Sequence, residues 1–279
     1  VAQYLMNSVE YLETIFATFK VAMVPVNTNY RYVADELAYL WLDAGVEAVV
    51  FHGSFSGQIE QIRHRLPAIR LWLWVDDDGG ACPEWAEPYE AVATSEALPP
   101  SERPPRSGDD LYLLYTGGTT GKPKGVMWRQ DDLFCVLNRS ATIKYPEEGT
   151  IDDVRRLLVD HGSHRPRVIP AAPLMHGTAA FSAFAILDSG GAVVLCENPR
   201  FDPEELLDTV TAHGVTDLSI VGDAFAKPIL DALDGNPERW DISTLRVILS
   251  SGVMWSAPVK EGLLAHAPVS YTHLTLPTI

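Results

Sequence analysis

Cysteine is scarce in this sequence, and that scarcity excludes two kinds of site. Three cysteines, Cys82, Cys135 and Cys196, occur among 279 residues. They lie far apart, with no spacing typical of a disulfide framework or of a metal site. We therefore expect a protein of a reducing compartment, the cytoplasm.

Basic residues and long apolar runs are also in short supply. Lysine and arginine number 21 against 37 aspartates and glutamates, which gives a formal net charge of -16. Broad nucleic-acid binding needs a basic face, so we exclude it. No apolar run approaches the roughly 18 residues of a membrane-spanning helix, and no signal peptide is expected. A small anionic ligand held by local donors, and peripheral contact with a membrane, stay open.

Strand and helix patterns alternate along most of the chain. Examples are a predicted strand over Leu71–Val75 and a predicted helix over Pro203–His213. This alternation is typical of an α/β fold with largely parallel sheets. Residues 76–108 break the pattern with an aspartate run and two Pro-Pro pairs, which predicts an irregular connection. We expect two lobes, about 1–75 and 109–268, joined by loop 76–108.

The most informative segment is the glycine loop, Tyr115 to Gly125, with the sequence YTGGTTGKPKG. Its glycines let the backbone turn sharply and approach a ligand, and their N–H groups can converge on an anion. Threonine hydroxyls add donors, and Lys122 and Lys124 supply positive charge for phosphate oxygens. This combination favours a polyphosphate ligand. The structural alternative is a flexible hairpin turn whose lysines lie in water.

Three better-known motifs are absent. A Walker A loop needs G-x-x-x-x-G-K-[ST], but Pro123 follows Lys122 and Thr116 stands where the first glycine is required. No G-x-G-x-x-G opens a helix at this loop, which argues against a dinucleotide site. No G-x-S-x-G elbow occurs, so a serine hydrolase has no support.

The glycine loop closely resembles the phosphate-binding signature of the adenylate-forming superfamily, which includes acyl-CoA synthetases, luciferases and peptide-synthetase adenylation domains. The form YTGGTTGKPKGVMW resembles most the branch of fatty-acyl and steroid-side-chain CoA ligases. Further segments similar to family motifs, within residues 1–268, are Asn27-x-Asn29-Tyr30-Arg31 with Asp35-Glu36-Leu37, Pro173–Gly177, Val221–Phe225 and Ser250–Ser256.

The resemblance implies a fold and an activity. The fold is the layered α/β lobes of the family's N-terminal domain. The activity is that of an ATP-dependent acyl-CoA ligase, which converts a fatty or steroid-side-chain carboxylate to an acyl-adenylate and then transfers the acyl group to coenzyme A. The resemblance therefore implies ATP, Mg²⁺ and coenzyme A as cofactors and co-substrates, and a small-molecule carboxylic acid as substrate.

The resemblance also assigns residues. Those expected to bind the nucleotide are Thr116, Gly117, Gly118, Thr119, Thr120, Gly121, Lys122, Lys124, Gly125, Ser251, Gly252 and Val253. Those expected at the acyl site are His176, Phe181, Phe184, Val221 and Phe225. His176, Thr120 and Lys124 are expected to act in catalysis, with His176 positioning or gating instead of acting as a general base. Ordinary core packing remains an alternative for the phenylalanines, and no metal ligand is assigned.

The sequence departs from the family pattern in its last part. Ser251, Val253 and Met254 stand where the family usually has Gly, Ala and Pro, so larger side chains line the adenine-contacting segment. The family's Tyr-Gly-x-Thr-Glu segment, ribose-binding aspartate, hinge and C-terminal lid with its catalytic lysine are not found. Residues 269–279 form an uncharged, threonine-rich tail instead. We expect residues 1–268 to be a partial N-terminal domain, inactive by itself.

Other functions stay open at this point. An adenylating relative would pass its acyl group to a carrier-protein phosphopantetheine instead of coenzyme A. An incomplete domain would bind nucleotide without turnover, or bind nothing. A generic phosphate-loop NTPase is disfavoured by the residues of the glycine loop.

Overall fold

A computed structural model of the chain describes residues 1–117, 121–141, 143–146, 148–160, 165–267 and 270–274. It confirms an α/β fold built on largely parallel sheets. The chain forms two compact units, Val1–Leu133 and Phe134–Ile279, each with its own sheet and buried core. The lobe boundaries expected from the sequence stay a prediction.

A seven-stranded sheet forms the centre of the first unit. Its strands are β1 (Ala2–Tyr4), β2 (Val26–Asn27), β3 (Ala48–His52), β4 (Leu71–Val75), β5 (Glu87–Pro88), β6 (Leu111–Thr116) and β7 (Lys124–Arg129). They lie in the order β5-β4-β3-β1-β2-β6-β7, and neighbours are parallel except for the antiparallel pair β6–β7. The α-helices of this unit are α1 (Val9–Lys20), α2 (Ala34–Asp43), α3 (Ser56–Ile62) and α4 (Tyr89–Ala93).

The core of the first unit explains why its central strands form. All five residues of β3 are buried, as expected for a parallel strand covered on both faces. Trp41 of α2 packs edge-on against Tyr4, with ring centroids 5.7 Å apart, and against Trp72, with centroids 5.9 Å apart. Helix α2 is therefore anchored on the sheet by an aromatic cluster, which fixes the position of its exposed face.

Residues 76–108 differ from the irregular connection that the sequence predicts. They contain β5 and α4, and β5 pairs in parallel with β4. The ring of Tyr89 is buried, and its hydroxyl donates to the Glu13 carboxylate of α1 at 2.9 Å. Short elements in a proline-rich stretch can thus form where a neighbouring strand supplies the pairing and a helix supplies the packing.

A five-stranded, all-parallel sheet forms the centre of the second unit. Its strands are β8 (Arg167–Pro170), β9 (Ala192–Val193), β10 (Asp217–Ile220), β11 (Val247–Ser251) and β12 (Ser270–Leu274), in the order β12-β11-β10-β8-β9. The remaining α-helices of the described chain are α5 (Gln130–Ser140), α6 (Ile151–Asp160), α7 (Gly177–Asp188), α8 (Pro203–His213), α9 (Asp223–Gly235) and α10 (Ala257–His266). Strand β12 falls in the stretch that the sequence sets apart as a tail.

Local sequence explains the helix that leads into β10. Asp202 is the N-cap of α8, and its carboxylate accepts the N–H of Glu204 at 2.9 Å. Pro203 follows at the first helical position, where its missing N–H costs nothing. The buried face of α8 consists of Leu206, Leu207 and Val210. Capping and an apolar stripe thus fix α8 against the core, from which the chain enters β10.

Candidate functional site

The glycine loop connects the two strands of a β-hairpin in the first unit. Strands β6 and β7 are antiparallel, and the last residue of β6, Thr116, lies opposite the first residue of β7, Lys124. The part of the loop outside the paired strands is therefore residues 117–123. The predicted ligands Gly118, Thr119 and Thr120 lie outside the described residues.

The described loop residues present polar groups to solvent. Thr116, Gly117, Gly121, Lys122 and Lys124 are all exposed. Among the described residues, no ion pair involves either lysine. Neither ammonium group of this hairpin is thus paired with a described carboxylate, which suits an anionic ligand.

Asn27 fixes Tyr115, the first residue of the glycine loop. Strand β2 pairs with β6 at Val26 opposite Leu113. The buried side chain of Asn27 extends that pairing. Its Nδ2 donates to the Tyr115 carbonyl at 2.9 Å, and its Oδ1 accepts the Tyr115 N–H. A side-chain amide thus takes the place of a strand backbone beside Tyr115.

The ring of Tyr115 occupies the space that Gly125 leaves. The two residues are opposite each other in the hairpin, and a Cβ atom on Gly125 would lie 2.8 Å from the Tyr115 ring. The Tyr115 hydroxyl donates to the Asp43 carboxylate at 2.7 Å. Burial and this hydrogen bond raise the pKa of Tyr115. Gly125 therefore has a packing role in the hairpin, and its contact with nucleotide stays a prediction.

The second candidate region is the carboxyl edge of the five-stranded sheet. In open parallel sheets, ligands bind outside the carboxyl ends of the strands. Strand β10 ends at Ile220 and its neighbour β11 ends at Ser251. The predicted residues Val221, Gly252 and Val253 directly follow these ends. The sheet thus brings two segments that are distant in sequence to the same edge.

Thr178 connects this edge to α7. Ser251 is 5% exposed, and its hydroxyl shares a hydrogen bond with the Thr178 hydroxyl. The hydroxyl of Ser219 in β10 donates to the Thr178 carbonyl at 3.3 Å. Because α7 begins immediately after His176, these contacts hold the histidine motif beside the ends of β10 and β11.

His176 lies at the exposed start of α7. Its N–H donates to the Pro173 carbonyl at 3.0 Å, and its own carbonyl accepts the Ala180 N–H at 3.0 Å. The residue is the helix N-cap, but its side chain makes no capping hydrogen bond. The backbone therefore fixes the position of His176, while the imidazole is not used to begin the helix.

The turn after β10 requires Gly222. This residue has φ of +55° and ψ of -155°, a region that is essentially restricted to glycine. A Cβ atom would lie 2.4 Å from the Met254 carbonyl oxygen. That oxygen accepts the Asp223 N–H at 3.1 Å, and the Asp223 carboxylate accepts the Ser256 N–H at 2.9 Å. The turns after β10 and β11 are thus locked together.

The predicted acyl-site residues lie in two different surroundings. Phe181 and Phe184 are both on α7, with ring centroids 6.4 Å apart, and Phe184 is buried. Phe225 packs on Phe201, with centroids 4.5 Å apart, at the margin of the second unit's core. Val221 lies 3.6 Å from the position of a Cβ on Gly252. The described contacts therefore bring Val221 to the sheet edge and place Phe225 in core packing.

The segment after β11 carries exposed apolar side chains. Val253 is 52% exposed and Met254 is 79% exposed. Gly252, which precedes them, has φ of +91°. Two large apolar side chains at the carboxyl edge of a sheet form a surface that a flat ring could cover. Adenine contact by Ser251, Gly252 and Val253 stays a prediction.

A protein-held metal has no support among the residues that the structure describes. These residues contain no group of three or more His, Cys, Asp and Glu side chains able to hold a metal ion. The part of the chain described here also contains no helix both long and apolar enough to cross a membrane.

Sequence reasoning missed three residues that organise these regions. Asn27 holds the root of the glycine loop, and Thr178 and Asp223 tie the sheet edge together. Asn27 and Asp223 lie inside segments that resemble family motifs, but the motifs say nothing about their contacts. Thr178 has no signal in the sequence, because its partner Ser251 is distant along the chain.

Comparison with known proteins identifies the family to which the chain belongs. Residues 1–273 match the family model described as AMP-binding enzyme. The chain therefore belongs to the AMP-binding enzyme family, and the resemblance recognised in its motifs is confirmed.

Individual relatives are ligases of carboxylic acids and coenzyme A. The chain is 34% identical over 273 residues to 3-oxocholest-4-en-26-oate--CoA ligase of Rhodococcus rhodochrous, with 95% of this chain and 48% of the relative covered. It is 33% identical over 269 residues to medium-chain acyl-CoA ligase Mig of Mycobacterium avium, with coverage of 95% and 48%. The chain thus spans about half the length of the curated relatives it matches.

Solved structures share the fold. A crystal structure from Rhodopseudomonas palustris, named as a putative long-chain-fatty-acid CoA ligase, matches with a TM-score of 0.75 at 20% identity, covering 97% of this chain and 60% of that one. ATP-bound MatB from the same species matches with a TM-score of 0.73 at 25% identity, with coverage of 99% and 49%. The layered α/β architecture is therefore that of the family's N-terminal domain.

Proposed function

We propose that this chain is the nucleotide-binding part of an ATP-dependent acyl-CoA ligase acting on a fatty or steroid-side-chain carboxylic acid. Membership of the AMP-binding family supports the use of ATP. The names of the relatives from Rhodococcus and Mycobacterium support coenzyme A as acceptor and medium-chain or steroid acids as substrates.

The proposed reaction has two steps. A carboxylate oxygen attacks the α-phosphorus of ATP, and pyrophosphate leaves with the electrons of the broken P–O bond. The thiolate of coenzyme A then attacks the acyl carbon, and AMP leaves. The first step brings an anion against a polyanion, so positioned positive charge and N–H donors must offset their repulsion.

The observation that carries the proposal is the pair of exposed lysines on the hairpin. Lys122 and Lys124 flank Pro123 at the end of the glycine loop, and neither forms an ion pair with a described carboxylate. In the proposal they hold the β- and γ-phosphates and follow the departing pyrophosphate. Thr119 and Thr120 add hydroxyl donors, and the loop glycines add backbone N–H groups.

The carboxyl edge of the second sheet receives the other groups in this proposal. Ser251, Gly252 and Val253 contact the adenine, and His176 positions the acyl group or gates the thiol. Phe181, Phe184 and Val221 line the acyl site. Phe225 also lines it, with its other side packed on Phe201. Each methylene of a fatty tail that such walls bury would contribute about 0.8 kcal/mol.

Magnesium enters the proposal with the nucleotide. When bound, it would supply positive charge that lowers the repulsion between triphosphate and carboxylate. Phosphate oxygens and threonine hydroxyls are hard ligands of the kind it prefers. Because the described residues contain no carboxylate cluster for it, we assign it no protein ligand.

The proposed location is the cytoplasm, where ATP and coenzyme A are available. The three cysteines are unpaired and partly buried, in agreement with a reducing compartment. Peripheral contact with a membrane, where a fatty substrate would dissolve, belongs to the same proposal.

The test is acid-dependent exchange between ATP and pyrophosphate, measured on the full-length protein that contains this chain. Removing one catalytic donor typically costs about 2.7–4 kcal/mol, so Lys124→Ala and Thr120→Ala should each slow exchange roughly a hundredfold or more. Lys227→Ala, on an exposed lysine paired with Asp231 in α9, is the matched control and should leave exchange unchanged.

Exchange that survives both substitutions would contradict the role of the loop. Exchange without formation of acyl-CoA would favour the carrier-protein alternative. The 279-residue chain by itself should form no acyl-CoA from ATP, magnesium, a fatty acid and coenzyme A.

A further inference from the structure

Lys122 contacts an aromatic ring from a part of the chain that is distant in sequence. The Lys122 ammonium lies over the ring of Tyr39, with Nζ 4.3 Å from the ring centroid. An ammonium at this distance is attracted by the negative face of the ring. Tyr39 is half-buried on α2, a helix anchored on the sheet of the first unit by Trp41. The contact therefore joins a loop residue to a fixed element.

Helix α2 contacts both flanks of the glycine loop. Asp43 follows Tyr39 by four positions, so both lie on the same face of the helix. The Asp43 carboxylate accepts a hydrogen bond from the hydroxyl of Tyr115, the first residue of the loop, at 2.7 Å. Tyr39 receives Lys122, which lies near the end of the loop. One helix face thus holds the beginning and the end of the same loop.

The backbone of Lys122 is restricted as well. Pro123 follows it and is buried. The residue before a proline is confined to extended conformations by the proline ring. Of the motions left to Lys122, those of its long side chain are the largest, and these are the motions that the Tyr39 ring limits.

We propose that Tyr39 is a positioning residue that holds the Lys122 ammonium ready for a polyphosphate without neutralising it. This inference rests on the proposed function and adds a residue to it. A carboxylate in the place of Tyr39 would cancel the charge, as Asp231 does for Lys227 and Asp109 does for Arg129. A neutral ring covers one side of the ammonium only. Because Lys122 is exposed, its remaining N–H donors can reach phosphate oxygens.

The test measures the affinity of the 279-residue chain for pyrophosphate and for ATP by calorimetry. Because the loss of an exposed cation–π contact has a modest effect, Tyr39→Leu should weaken binding about two- to fivefold. Tyr39→Phe keeps the ring face and should bind like the wild type. In a Lys122→Ala background, Tyr39→Leu should have no further effect, since the ammonium that it serves is gone.

A second readout follows the contact itself. In protein carrying ¹³C at the lysine ε-carbon, the Lys122 signal should be shifted upfield by the ring in wild type and Tyr39→Phe, and the shift should vanish in Tyr39→Leu. Equal melting temperatures of the variants would show that the fold is intact. This measurement needs no ligand and therefore checks the contact directly.

The outcomes separate the two proposals. If Lys122→Ala weakens binding but Tyr39→Leu does not, Tyr39 has no positioning role and the inference is overturned, while the proposed function stands. If wild type binds neither pyrophosphate nor ATP, or if substitution of both lysines changes nothing, the proposed function fails. An effect of Tyr39→Leu that persists without Lys122 would indicate a structural role only and would also overturn the inference.

Discussion

At the residue scale, Asp188 is a carboxylate in unfavourable surroundings. It is the last residue of α7, and its carbonyl accepts the hydroxyl of Tyr145 at 2.5 Å. Phe134, Leu137 and Ile143 lie beside it. Burial raises the pKa of Asp188 from its ordinary value of 3.8 to about 6. Between these two pH values the folded protein therefore holds a proton on Asp188 that the unfolded chain would release.

This shift predicts a pH dependence of stability. Between pH 3.8 and about 6 the folded state binds more protons at this group than the unfolded state does. The free energy of unfolding therefore falls as pH rises through this window. Above the window, the cost of burying the ionised Asp188 carboxylate is fully present. Asp188→Asn should remove the penalty and stabilise the protein near neutral pH by on the order of 1–2 kcal/mol. Urea unfolding of wild type and Asp188→Asn at about pH 4 and about pH 7 measures this difference in the free energy of unfolding.

Asp152→Asn is the matched control, because Asp152 is exposed on α6 and paired with Arg155. Its unfolding curves should differ from wild type by a similar small amount at both pH values. Equal pH dependence in Asp188→Asn and wild type would show that Asp188 ionises normally in the folded protein.

At the element scale, the pairing of β2 with β6 depends on a side chain. β2 is two residues long, and Asn27 extends its pairing by bonding both the N–H and the carbonyl of Tyr115. Tyr115 is followed directly by Thr116 and by the unpaired part of the glycine loop, residues 117–123. At the end of β6 nearest the loop, the attachment to the parallel sheet thus depends on one side-chain amide, beyond the backbone pairing of Val26 with Leu113.

Asn27→Ala should therefore destabilise the first unit. It would leave two buried backbone groups of Tyr115 without partners, at about 1–3 kcal/mol for each unsatisfied group, so a loss of about 2–6 kcal/mol is expected in urea unfolding. Asn29→Ala is the matched control. The Asn29 side chain makes only local contacts, with the Arg31 N–H and with the Tyr32 side chain, and its replacement should cost less than about 1 kcal/mol. Equal losses in the two variants would contradict the role given to Asn27.

The elements show what local sequence can and cannot predict. The bounds of β4 and α8 are those predicted, Leu71–Val75 and Pro203–His213, because an apolar run and a capped amphipathic stripe are local signals. Strand β7 was not predicted. Its residues are mostly exposed, so it lacks the apolar pattern of a buried strand. It forms because β6 offers a free edge across the loop.

Some features of the candidate site likewise follow from local sequence, and others depend on the fold. The glycine loop was predicted from its own residues, since glycine, threonine and lysine act there through local chemistry. The contact of Lys122 with Tyr39 and that of Ser251 with Thr178 were not predicted. Each joins residues that the fold, and no sequence spacing, brings together.

At the scale of the whole molecule, charge distribution matters more than net charge. The chain carries a formal net charge of -16, which would repel a polyphosphate at long range. Binding of a polyphosphate therefore needs a locally positive surface, and the hairpin with Lys122 and Lys124 is the candidate. Because distant charges are screened beyond about 8 Å at physiological salt, the local lysines and backbone donors can dominate over the acidic surface.

The central claim is that the glycine loop binds the phosphates, and backbone amide shifts test it most directly. In ¹⁵N-labelled chain titrated with pyrophosphate, the largest shifts should fall on Gly117, Gly121, Lys122 and Lys124. The substitutions Lys122→Ala and Lys124→Ala together should abolish these shifts. Shifts confined to residues outside the loop, or no saturable shift in the wild-type chain, would contradict the account.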